Sequence, residues 1–203
     1  MLEALLISNL ILWVLVVTLA AVVFALVRQI GVLHERVAPA GALVGRAGPR
    51  VGTPAPRFDL EDWSGAPLSI GSADPERKST LLVFISPTCP VCKTLLPVLG
   101  SVARAEQRWL RLVFASDGPR EEHDAFVRAY ELAERPYVLS TELGLGYQVG
   151  KLPHAVLIDA DGVLRAKGLV NTREHIESLF EAMERGVGSV QDYLRQTGAR
   201  RVA

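Results

Sequence analysis

Residues Ala4 to Val27 carry no charged side chain, and only Ser8, Asn9 and Thr18 interrupt the apolar run. As a helix these residues would span about 36 Å, more than the hydrocarbon core of a bilayer. The run is longer than the apolar segment of a signal peptide, and no small-residue cleavage site follows it closely. We therefore expect residues 1–28 to form a single-pass anchor, leaving roughly 150 residues for one domain with its own core. The 49% hydrophobic content partly reflects this run. Formal net charge is zero, with no basic stripe, so nothing here points to nucleic acid.

Flanking charge and compartment pull in different directions. Only Glu3 and the amino terminus precede the run, whereas Arg28, Arg36, Arg46 and Arg50 follow it. The positive-inside rule alone would keep the C-terminal side in the cytoplasm, but it weakens when a whole folded domain follows.

Residues 37–56, "VAPAGALVGRAGPRVGTPAP", hold Gly or Pro at eight of twenty positions and have no helical or strand period. The expected layout is an anchor over 1–28, a Gly/Pro/Ala-rich linker over 29–50, a domain over 51–185 and a tail over 186–203. Within the domain, "TLLVFI" (80–85), "LRLVFAS" (110–116), "YVLS" (137–140), "HAVLID" (154–159) and "VLRAKG" (163–168) read as strands. Helical patterns cover 89–108, 119–134 and 172–185, with a helical turn near "ELGLGYQV" and Thr172 as the cap of the last helix. Alternating strands and helices that end in an "ADG" hairpin predict an α/β sandwich with a mixed central sheet.

Both cysteines lie in "SPTCPVCK" (86–93), where a buried strand gives way to a helix. Pro90 suits the first helical position, which makes Cys89 the N-cap, with its sulfur facing the N–H groups of Val91 and Cys92. Such donors, together with the positive helix end, favour thiolate and lower the pKa of Cys89. Cys92 lies one turn along the same face, less exposed and close enough to form a disulfide. In this reading Cys89 attacks and Cys92 resolves. Lys93 could add thiolate character, or be an ordinary exposed lysine. The pair could also be small core hydrophobes or half of a zinc site, although His34, His123, His154 and His175 show no ligand spacing.

"KLPHAVLIDADG" (151–162) places Pro153 just before a strand, where a cis X–Pro bond could sit beside the disulfide. Leu152 would then offer its backbone to an extended substrate. With Pro97 five residues after Cys92, this pattern resembles the thioredoxin superfamily, in which strand–C-x-x-C–helix is faced by a cis-proline loop. "VGTPAPRFDLEDWSGAPLSI" (51–70) resembles the N-terminal extension of its membrane-tethered thiol–disulfide and peroxiredoxin-like branch. "FISPTCPVCKTLLP" (84–97) and the anchor–linker–domain layout resemble the MauD family of methylamine utilization accessory proteins.

That resemblance implies a thioredoxin-like fold and a membrane-tethered thiol–disulfide oxidoreductase or isomerase with no cofactor. Its implied role is maturation of the methylamine dehydrogenase small subunit, a periplasmic chain with many disulfides and a tryptophan-derived quinone. The implied partner is the multi-spanning MauE, and the implied location is the inner membrane with the domain in the periplasm. Cys89 and Cys92 would be catalytic, Leu152 and Pro153 would bind substrate, and Thr88, Pro90, Val91 and Lys93 would support them. Departures from the thioredoxin pattern are Val83 where many members bury an acid, Thr88 where a tryptophan is common, and the dipeptide Pro90–Val91. Direction of electron flow therefore stays open. A peroxidase is an alternative, since Ser86 stands three residues before Cys89, but Leu82 replaces the proline of that motif. A non-catalytic escort of the unfolded subunit is another.

Overall fold

The computed structural model of the chain describes residues 2–36 and 48–186. The chain divides into two compact units, Met1–Ala42 and Leu43–Ala203. In the first, helix α1 runs from Leu2 to Arg36. Its segment Leu6–Phe24 has mean hydropathy 2.6 with no residue buried, and is long and apolar enough to cross a membrane. Such a segment fits a single-pass membrane anchor. The helix continues through residues 29–36, where the linker was expected to begin. The stretch 37–47 and most of the expected tail, 187–203, lie outside the described residues.

The second unit is built on a five-stranded mixed sheet of order β5-β4-β3-β6-β7. The strands are β3 (Ser79–Phe84), β4 (Leu110–Ser116), β5 (Tyr137–Leu139), β6 (His154–Ile158) and β7 (Leu164–Leu169). The first three run parallel, while β6 and β7 are antiparallel to their neighbours. All six β3 residues are buried, as expected of a central strand covered on both faces. Strand alternation then sorts the core into two layers. Leu81, Val83 and Ile85 pack in one with Leu95, Leu99 and Ile176; Leu82 and Phe84 pack in the other with Leu143, Tyr147 and Ile70.

Helix α2 (Pro90–Ala105) buries Cys92, Leu95, Leu96, Leu99, Val102 and Ala103, spaced three and four apart along one stripe. Each buried leucine contributes on the order of 2 kcal/mol relative to exposure. Pro97 stands inside this helix. Helix α3 covers only Arg120–Ala129, shorter than the expected 119–134. Glu131 adopts a left-handed φ of 54°, which stops the helix, and a separate 3-10 turn follows over Leu132–Glu134. Helix α4 is Thr141–Gly146 and α5 is Arg173–Glu184. Thr172 occupies the N-cap position of α5 but makes no side-chain bond to the helix backbone. Its hydroxyl turns to Glu174 and is the main cause holding that carboxyl below its ordinary value.

One element was not anticipated. Strands β1 (Phe58–Glu61) and β2 (Pro67–Ile70) form a two-stranded antiparallel hairpin within the stretch 51–70. Its turn is held by Asp62, whose Oδ1 accepts from the Ser64 hydroxyl at 2.6 Å and from the Ser64 and Ala66 N–H groups at 2.8 and 3.0 Å. Gly65 supplies the positive φ. The Ser64 hydroxyl, with those N–H donors, holds the Asp62 carboxyl below its ordinary value.

Candidate active site

The site grows from the carboxyl end of β3. The Ile85 N–H donates to the Ala115 carbonyl, so the chain stays fixed one residue beyond the strand. The loop then tightens as the Ser86 and Thr88 hydroxyls meet at 2.9 Å and the Thr88 N–H donates to Ser86 Oγ. The Cys89 N–H donates to the Ser86 carbonyl at 3.1 Å. Pro90 then opens α2 in a position that needs no donor.

Cys89 is the N-cap of α2, with extended φ and ψ of −87° and 109°. Its sulfur accepts from the Cys92 N–H at 3.1 Å. Of the two donors expected at this sulfur, Cys92 makes the bond and Val91 does not. Cys89 and Cys92 are joined as a disulfide with Cα atoms 5.3 Å apart. Cys92 is fully buried, whereas Cys89 is half-buried. The pair thus presents one reachable sulfur and one shielded sulfur. Val91 is 40% exposed beside them. Lys93 is exposed and makes no ion pair among the described residues. Val83 is completely buried, so no carboxylate lies beneath the disulfide at that position.

Pro153 enters from the neighbouring strand. Phe84 at the end of β3 faces His154 at the start of β6, so the Cys89 loop and the Pro153 loop emerge at the same end of adjacent strands. The Leu152–Pro153 bond is cis, as the sequence suggested. Pro153 is buried, and its carbonyl accepts from the Val170 N–H at 3.1 Å. Leu152 is 38% exposed, and neither its N–H nor its C=O has a partner among the described residues.

The remaining histidines serve other ends. His123 is buried, bonded to the Tyr137 hydroxyl at 2.7 Å and to the Asp117 carbonyl at 2.9 Å. The His175 ring accepts from the Asn171 N–H. His154 Nε2 is buried without a partner, and burial, with a smaller contribution from Lys167, pushes that imidazole down to about 4. Sequence reading gave His154 no role, and only its place after Pro153 could have drawn attention to it. Among the described residues, no three His, Cys, Asp or Glu side chains could hold a metal together.

A protein-family model described as the AhpC/TSA family matches residues 51–167. Methylamine utilization protein MauD of Paracoccus denitrificans is 47% identical over 187 residues, covering 92% of each chain. MauD of Methylorubrum extorquens is 48% identical, covering 92% of this chain and 90% of its own. Among solved structures, the thioredoxin domain of a thiol-disulfide oxidoreductase from Bacteroides vulgatus superposes with a TM-score of 0.55 at 20% identity. It covers 64% of this chain and 98% of that one, a likeness of fold. The chain belongs to the AhpC/TSA family and, within it, to the MauD proteins of methylamine utilization.

Proposed function

We propose that this protein exchanges disulfides with the small subunit of methylamine dehydrogenase while that subunit matures. Helix α1 tethers it to the inner membrane, the domain works in the periplasm, and the multi-spanning MauE is its redox partner. The observation that carries this reading is the asymmetry of the pair: Cys89 is reachable and capped by the Cys92 N–H, while Cys92 is shielded. The names of the relatives support methylamine metabolism as the setting.

In the reducing direction, the capping donor and the helix end favour the Cys89 thiolate. The thiolate attacks one sulfur of a substrate disulfide, a mixed disulfide forms, and the other substrate sulfur leaves as thiolate. Cys92 gives up its proton and attacks Cys89 Sγ, expelling the second substrate thiolate. The protein dithiol is oxidised by two electrons and the substrate disulfide is reduced by two. In the oxidising direction a substrate thiolate attacks Cys89 Sγ, and Cys92 leaves first. Throughout, the free backbone of Leu152 offers an extended substrate a donor and an acceptor, while Pro153 walls the site. The peroxidase alternative gains no support from Ser86, whose hydroxyl is engaged by Thr88.

Trapping tests the reading. In cells making methylamine dehydrogenase, C92S should hold the small subunit as a reducible adduct, because Cys89 can attack but nothing releases it. C89S should trap nothing, since the remaining thiol is buried. Capture of many unrelated periplasmic proteins and no small subunit would replace dedicated maturation with general exchange. A C89S/C92S protein that still supports maturation would mark it as an escort.

A further inference from the structure

At the carboxyl ends of β3, β4 and β5, the end of the sheet from which the Cys89 loop leaves, lies a cavity of about 240 Å³. Phe84, Ile85 and Ala115 are buried and form its deep end, while Leu145, 71% exposed, and Leu152 stand at its mouth. Two hydroxyls in the wall are already committed: Ser116 Oγ donates to the Ile85 carbonyl, and Ser140 Oγ accepts from the Leu143 N–H. Asp117 and Lys151 add one charge of each sign, so the lining does not select an ion. The Thr141 hydroxyl also stands in the wall, and most of the remaining lining is apolar.

Helix α4 supplies the decisive observation. Its six residues include two glycines, an expensive choice for so short a helix. Gly146 is explained by packing, because a Cβ there would run into the Phe58 ring at Cζ. Gly144 is not: its φ is not positive, and a Cβ would meet nothing within 4 Å. Nothing in the fold forbids a side chain at 144, and Gly144 lines the cavity, so a side chain there would border or enter that space. The missing side chain keeps that space open.

The occupant follows from the mouth. Leu152, unpaired through both backbone groups, lines the cavity and directly precedes Pro153. An extended chain pairing with it would alternate its side chains, bringing one that flanks the reactive cysteine to the opening. The volume is below that of usual cofactor pockets, roughly 300–1,000 Å³, and suits one aliphatic side chain. We infer that this cavity is a specificity pocket for an apolar side chain flanking the cysteine of an extended substrate segment, with Gly144 as its opening. The inference rests on the disulfide-exchange reading above.

The test uses the full-length, detergent-solubilised, reduced protein. Substrates are synthetic octapeptides with one cysteine held as a glutathione mixed disulfide, otherwise alanine, with leucine placed at each flanking position in turn. One position should react about tenfold or more faster with leucine than with alanine. That ratio should fall to near one in G144L and to an intermediate value in G144A. A ratio, unlike a rate, is insensitive to a general loss of folded protein. G144A also carries the test by itself if G144L fails to fold, because alanine suits the helix. Equal rates for every peptide, or a leucine preference that survives both substitutions, would overturn the pocket. If the unsubstituted protein attacks neither the peptides nor glutathione disulfide, the exchange reading itself fails.

Discussion

His154 follows Pro153 into β6 with its ring near Phe84, centroids 6.5 Å apart, and with Nε2 lacking a partner. Burial, then the Lys167 charge, lowers its pKa from 6.5 to about 4. Lys167 is itself held below its ordinary value by burial. The unfolded chain therefore binds a proton near pH 6.5 that the folded chain refuses until about pH 4. Folded stability from this residue is complete above 6.5 and drains away as pH falls toward 4. The loss by pH 4 should be about 2–3 kcal/mol. Guanidinium unfolding followed by tryptophan fluorescence at pH 7 and pH 4 should show it. H154F, with no proton to take up, should lose less over the same interval. Equal losses in both proteins would mean that His154 is accessible enough to charge in place.

At the scale of elements, the two glycines of α4 should respond oppositely. Alanine at 146 drives into the Phe58 ring, which already packs against Tyr147 at 6.2 Å, and should cost about 1–3 kcal/mol. Alanine at 144 meets nothing and should gain about 0.4–1 kcal/mol by restricting the unfolded chain. Denaturant midpoints at constant slope measure both. The same helix marks a limit of sequence reading. The strands of the main sheet were legible because β3 and β4 are apolar runs buried on both faces, and the CPVC unit because proline, cap and spacing agree. The hairpin β1–β2 was missed because each strand offers only four residues of alternation. Helix α3 was drawn too long because nothing in "YELAE" announces that Glu131 turns left-handed. The cavity beside α4 left no trace at all, since an absent side chain gives no periodicity to detect.

At the scale of the whole molecule, the helix of the first unit and the thiols of the second make separate demands on one chain. The segment Leu6–Phe24 offers 19 residues that could cross a membrane. Arginines at 28, 36, 46 and 50 would by themselves favour a cytoplasmic domain. The disulfide argues the other way: in the cytoplasm, glutathione and thioredoxin hold most thiols reduced, so Cys89–Cys92 could not trade disulfides with a maturing subunit. The charge rule is weakest for a long folded domain, whereas the redox requirement applies at every turnover, so the second demand should prevail. Alkaline phosphatase fused after Ala203 folds and works only where its own disulfides form. The fusion is expected to be active in intact cells, to keep that activity when the arginines after Val27 are moved before Ala4, and to lose it only when further arginines are added after Val27. A stable but inactive fusion of the unaltered chain would place the domain in the cytoplasm, and Cys89 would then need a substrate that is itself cytoplasmic.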